Sequence, residues 1–214
     1  LLPPTHPLTI HARHLYHHLA CGAGGHRHRR HDALCWLIAD VARDLLFAEV
    51  DTQSRLCSSS SKGTKVDIVV RTHHRPPYTV ALDVTVSCPL LSSHVAAAAA
   101  SVSALFDGRA AEKNDKHLAG CVELGRAFLP VVFTTLLGLG PRDARGYIDG
   151  LFSDLYVAER LAGGSGHDAH HRRVLFIQSL QASIVRSTTR MATALSSHPS
   201  TTASTTSSPT TAAP

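Results

Sequence analysis

The sequence predicts an α/β fold, a mixed central sheet flanked by helices, with elements in the order α-β-β-β-α-β-α-α. Three observations lead there. Residues 30–47 repeat apolar side chains at helical spacing. Residues 65–86 hold two β-branched and aliphatic runs around a proline-containing turn. A third such run at 127–135 is followed by two more helical patterns. With 214 residues, 43% of them hydrophobic, the chain is long enough for one domain with its own core.

Residues 1–29 are rich in His, Arg, Gly and Pro and stand apart from a domain over 30–195. Here His17 and Cys21 have the spacing of two zinc ligands on consecutive helical turns. A tetrahedral site needs two further ligands, so a solvated His/Arg-rich surface competes with the Zn²⁺ reading. In residues 30–47, Ala33, Leu34, Leu37, Ile38, Val41 and Leu45 share one face and Asp40, Arg43 and Asp44 the other. Asp32 is expected in the first turn, where a carboxylate suits the helix dipole.

Phe47–Gln53 suits a short strand, and CSSSSKG at 57–63 is a loop by composition. In the next strand Lys65, Asp67 and Val69 face one way, and Val66, Ile68 and Val70 the other. In its partner, Ala81, Asp83 and Thr85 share a face. His73–Pro77 must be a loop, because Pro76 and Pro77 have no amide to donate. Residues 91–126 read as helix with a break near Asp107–Gly108, and the alanines at 96–100 suggest a narrow, closely packing surface. Within it Lys113, Lys116 and Gly120 form one stripe. A strand at 127–135 and a turn at Gly138–Pro141 precede a helix over 142–161. GGSG at 163–166 links it to a last helix over 171–195, and the Ser/Thr/Pro/Ala tail over 196–214 is too polar to bury a core and is expected to be disordered.

Composition narrows the classes. The formal charge of +5 and pI near 9.2 permit an acidic partner without demanding one. Five scattered cysteines with no CxxC argue against a disulfide framework and for a reducing, intracellular compartment. No apolar run reaches the roughly 18 residues of a membrane span, so no membrane partner is expected. The start, LLPPTHPL, has no secretory pattern and reads as an internal piece of a longer polypeptide.

The feature that demands an explanation is the pair Asp67 and Asp83. A carboxylate inside a buried strand costs several kcal/mol or so unless paired or liganded. Hard carboxylate oxygens suit Mg²⁺ or Mn²⁺, such an ion favours phosphodiester hydrolysis, and nearby lysines can stabilise the charge that develops. Lys65, Lys113 and Lys116 supply the last group. From the residues alone, Asp83 is equally a paired buried acid and the lysines a solvated helix face.

The order RHDAL (30–34), VDIVV (66–70), VALDVTV (80–86) with Pro89-Leu90, EKNDKH (112–117), then Cys121, Phe128, Pro130 and Val132 and a Gly-rich turn, resembles a known domain. It is similar to the restriction-like endonuclease domain of site-specific non-LTR retrotransposon proteins, a branch of the PD-(D/E)XK nuclease superfamily. The resemblance covers roughly residues 14–195. It implies a restriction-endonuclease-like core, Mg²⁺- or Mn²⁺-dependent nicking of DNA, nuclear action, and a parent reverse transcriptase in a longer polypeptide. It implies that Asp67 and Asp83 are metal ligands with the Val84 carbonyl as a third. The superfamily's usual lysine position holds Thr85, so Lys113 or Lys116 takes that role, with His117 where the branch has tyrosine. Val66 replaces the usual proline. Asp32 becomes an active-site acid, Arg29, Arg30 and His31 face nucleic acid, and His17 and Cys21 match the last two ligands of a zinc knuckle. A nuclease fold that binds nucleic acid without cutting, or one left with only a structural role, is the competing expectation.

Overall fold

A computed structural model describes residues 26–46, 48–56, 65–72 and 77–196. The elements are α1 (His26–Leu46), β1 (Glu49–Arg55), β2 (Lys65–Arg71), β3 (Thr79–Ser87), α2 (Val95–Ala100), α3 (Val102–Glu123), β4 (Ala127–Thr134), β5 (Leu139–Gly140), α4 (Arg142–Leu161) and α5 (His167–Ser196). The five strands lie side by side in chain order. β1, β2 and β3 are antiparallel neighbours, β4 runs parallel to β3, and β5 returns antiparallel on β4. The fold is thus mixed α/β, an open sheet flanked by helices.

Parallel pairing requires a crossover, and α2 and α3 provide it. On the opposite face lies the main core. There Leu34, Ile38, Ala42 and Leu46 of α1 meet Ile68, Val70, Leu82, Val84, Val131 and Phe133 of the sheet. Ile148 and Phe152 of α4, with Phe176, Leu180 and Ile184 of α5, complete it. A smaller cluster under α3 joins Leu56, Val66, Val69, Ala81 and Cys121. Asp83 sits between Leu82 and Val84, so strand alternation turns it away from the main core and toward α3.

Pro130 is paired with Asp83 in the middle of β4. It is tolerated there because β5 reaches only Val132 and Phe133, leaving β4 an edge strand at that point. The β2–β3 hairpin is closed at its base by Thr72, whose amide donates to the Tyr78 carbonyl at 3.0 Å. Gly125 ends α3 at φ +64°, with the Arg126 amide donating to the Cys121 carbonyl and the Gly125 amide to that of Val122. That glycine-dependent cap turns the chain directly into β4.

Several expectations need correction. α1 spans His26–Leu46 with no acidic residue in its first turn, so Asp32 lies too far along it to meet the helix dipole there. The crossover breaks at Ser101, not at Asp107–Gly108: Ser101 is extended and its hydroxyl accepts from the Ala104 amide at 2.9 Å, starting a new helix. α2 buries none of its residues, so the alanine run is no packing surface among the described residues. α5 starts at His167, and the two-residue β5 lay hidden inside the predicted turn.

The expected alternation of β2 also fails at one place. Val66 packs with Val69, Ala81 and Cys121 and not with Ile68 and Val70. The break is at Asp67, which is absent from the ladder on both sides. β1 pairs Thr52 with Ile68 and Ser54 with Val66, skipping Gln53 and Asp67, and the β2–β3 ladder ends at Ile68 with Leu82. Gln53, opposite Asp67, has φ +56°, a left-handed conformation uncommon outside glycine. The sheet is deformed where it carries its acid.

Candidate active site

Asp67 and Asp83 line one cleft of about 460 Å³, together with Val84, Thr85, Val86, Lys65, Lys113, Lys116, Arg27, His28 and His31. The strands deliver the acids and Lys65, α3 delivers Lys113 and Lys116, and α1 delivers Arg27, His28 and His31. Continuing the β2–β3 register by one residue would set Asp67 opposite Asp83. Instead, Asp67 Oδ2 accepts the Val84 amide at 2.7 Å and takes the place of a strand carbonyl.

Asp67 has further partners. His31 Nε2 lies 3.0 Å from Oδ2, and Gln53 Nε2 is 3.4 Å from Oδ1. The other ring nitrogen of His31 is 3.1 Å from Asp32 Oδ1. With a carboxylate at each nitrogen, both ring atoms donate only if the imidazole is protonated. The hydrogen bond to Asp67 and then that to Cys35, against burial, raise the His31 pKa to about 11. Burial pushes the Asp67 carboxyl up, but His31, the Val84 amide and Lys113 outweigh it and hold it below its usual range.

Asp83 is only 4% exposed. Lys113 Nζ approaches its Oδ2 at 2.6 Å, yet that oxygen has no hydrogen-bond partner among the described residues. The two groups form a close, largely buried ion pair. His117 Nε2 stands 3.6 Å from Asp83 Oδ1. The His117 ring is fully buried, tilted against Phe128, and neither nitrogen finds a hydrogen bond among the described residues. Burial lowers its pKa, with Asp83 pulling the other way, so it is a neutral group beside the acid.

The geometry sorts the expected site residues. Asp67, Asp83, Val84, Lys113 and Lys116 come together. Lys113 touches the acid, whereas Lys116 is exposed at the cleft wall. Asp32 lines the neighbouring cleft, half exposed, and its partner is His31. Arg30 is 2% exposed, which removes it from nucleic-acid contact, and burial lowers its pKa. Arg29 is exposed but does not line this cleft; Arg27 and His28 do, being one turn from His31 on the same helical face. His17 and Cys21 lie outside the described residues.

Two contributors were not anticipated, and a third was expected in another role. Gln53 and Cys35 had no signal beyond residue type, although Cys35 follows His31 by one helical turn. His31, expected at the nucleic acid, is the cation on Asp67. Among the described residues no helix is long and apolar enough to cross a membrane. Neither a family model nor a curated protein matches the chain.

Proposed function

We propose that the chain is a metal-dependent DNA endonuclease domain of restriction-endonuclease-like fold, of the kind found in site-specific non-LTR retrotransposon proteins. The observation that carries this reading is Asp83. Its carboxylate is buried, is held at Oδ2 by the Lys113 ammonium 2.6 Å away, and shares a basic cleft with Asp67. Two carboxylates brought to one basic cleft, one of them buried, supply the hard oxygen ligands that suit a divalent cation. Asp67 and Asp83, with the Val84 carbonyl, would hold Mg²⁺ or Mn²⁺. When bound, such an ion makes water more acidic and offsets charge on a phosphate.

The chain's own groups do the rest. Lys113 stands where negative charge accumulates during phosphodiester hydrolysis. Thr85, at the superfamily's usual lysine position, lines the same cleft and leaves room for Lys113 to reach in from α3. Lys65, Lys116 and Arg27 attract the phosphate backbone, a contribution that weakens as salt rises. Neutral His117 walls off Asp83 without competing for its charge. In a parent element the resulting nick would prime reverse transcription.

One observation favours the non-cutting alternative. Both acids already have protein cations, His31 on Asp67 and Lys113 on Asp83. A cleft satisfied in this way could bind DNA without cleaving it. Plasmid nicking in Mg²⁺ decides between the two. The unmodified chain is expected to nick supercoiled DNA and Asp83→Ala to lose that activity while keeping its circular dichroism. Equal nicking by both proteins would overturn the assignment, and salt-sensitive DNA binding without nicking would establish the alternative.

A further inference from the structure

We propose that His31, Cys35 and Asp67 form a second metal site, one that takes a thiophilic divalent ion of the Zn²⁺ class. A ligand atom from each of the three lies within 4.8 Å of the others. His31 and Cys35 sit one turn apart on α1, and β2 brings Asp67 up to them. Cys35 Sγ is 3.8 Å from the His31 ring nitrogens, and His31 Nε2 is 3.0 Å from Asp67 Oδ2. Zinc bonds of roughly 2.0–2.3 Å place tetrahedral ligand atoms roughly 3.3–3.8 Å apart. The Cys35–His31 and His31–Asp67 separations are already close to that range.

The donor set selects the ion. Thiolate and imidazole are soft and borderline ligands that suit Zn²⁺, whereas Mg²⁺ prefers six oxygens. The pair Asp67 and Asp83 is the reverse case. The site opens on a cleft of about 420 Å³, lined also by His28, Thr52 and Gln53, which leaves space for a fourth ligand from His28 or water. Binding releases one proton from the Cys35 thiol and one from the His31 imidazolium, so that Zn²⁺ meets a thiolate, a neutral imidazole and a carboxylate. Charge balances, with two protons leaving for one dication. The deformation at Gln53 and Asp67 turns the acid toward α1, where an in-line strand residue would have faced α3.

Asp67 belongs to both sites. On the nuclease reading, from which this consequence follows, Zn²⁺ at His31 and Cys35 would hold Asp67 away from DNA hydrolysis and inhibit nicking.

The test uses the purified full chain, reduced and freed of metal, titrated with Co²⁺ as a spectroscopic stand-in. The expected result is a near-ultraviolet sulfur-to-cobalt band that Zn²⁺ abolishes, that Asp83→Ala retains, and that Cys35→Ser reduces by one thiolate's worth. Cobalt affinity at this site should fall by more than the roughly 10–100-fold that second-shell changes cost. Identical spectra for Cys35→Ser and the unmodified chain would overturn the site. A second measurement stands even if that variant misfolds. In the unmodified chain, Zn²⁺ but not Mg²⁺ should slow alkylation of Cys35, read peptide by peptide, while Cys88 and Cys121 are unaffected. Absence of protection also overturns the proposal. Zn²⁺ inhibition of nicking that Cys35→Ser relieves would establish the shared role of Asp67. A chain that never nicks would sink the nuclease reading alone, with cobalt and alkylation still deciding the metal site.

Discussion

The backbone amide of Val84 donates to the side chain of Asp67 at 2.7 Å, at a point where the β2–β3 ladder has already ended. A carboxylate thus stands in for a strand carbonyl. This ties the stability of the hairpin to the residue that the proposed chemistry needs most. Removing the side chain would leave a buried amide without an acceptor and the His31 imidazolium without its closest anion. Asp67→Ala should therefore cost about 1–3 kcal/mol in a metal-free urea titration. Asp67→Asn, whose amide oxygen can still accept from Val84, should cost less while abolishing nicking equally. Unchanged stability in the alanine variant would show that the bond contributes nothing to the fold.

The His31–Asp67 pair also fixes a dependence on pH in the absence of metal. His31 has a folded pKa of about 11 against an ordinary 6.5, so its contribution is complete below pH 6.5 and is lost as pH rises toward 11. Asp67 is lowered from an ordinary 3.8, so its contribution is present above that value and is lost as pH falls through the depressed one. Both act together between about pH 4 and 6.5, the span bounded by the two ordinary values. In EDTA the unmodified chain should lose stability from pH 6.5 upward faster than His31→Ala, measured by urea midpoints across that range. Parallel curves for the two proteins would rule out the pair as their source.

Much of this arrangement can be read from the residues, and the unread parts share a cause. Alternation set Ala81, Asp83 and Thr85 on one face of β3, and the structure has Ala81 and Asp83 meeting α3 as that pattern requires. The same rule applied to β2 failed at Val66, because alternation assumes an unbroken ladder and the ladder is interrupted at Asp67 on both edges. No local pattern announces that interruption, since Gln53, at φ +56° opposite Asp67, carries no turn signal in the sequence. Arg30 was misplaced for a related reason. A run of Arg and His looks like a solvated surface until helical geometry assigns each member a direction, which sends Arg27 and His28 to the cleft and Arg30 inward. Cys35 was invisible because its meaning depends on Asp67, 32 positions further along a different element.

Lys113 and Lys116 are one helical turn apart on α3 and line the same cleft, yet they are placed to do different things. Lys113 is partly buried with Nζ 2.6 Å from Asp83, whereas Lys116 is exposed. A cation held against the acidic centre acts on charge that develops during reaction, and a cation at the rim acts on charge already present on DNA. Lys113→Ala should lower the single-turnover nicking rate by about 100-fold or more with DNA affinity little changed. Lys116→Ala should leave that rate nearly intact, weaken binding across all sequences, and reduce the salt slope by about 1. Urea midpoints and circular dichroism of Lys113→Ala, measured beside the rate, show whether Asp83, left without its cation, destabilises the sheet. Exchange of these two phenotypes would move the rate-supporting lysine one turn along the helix. Equal, purely salt-dependent effects from both would leave the cleft as a binding surface with no lysine in the chemistry.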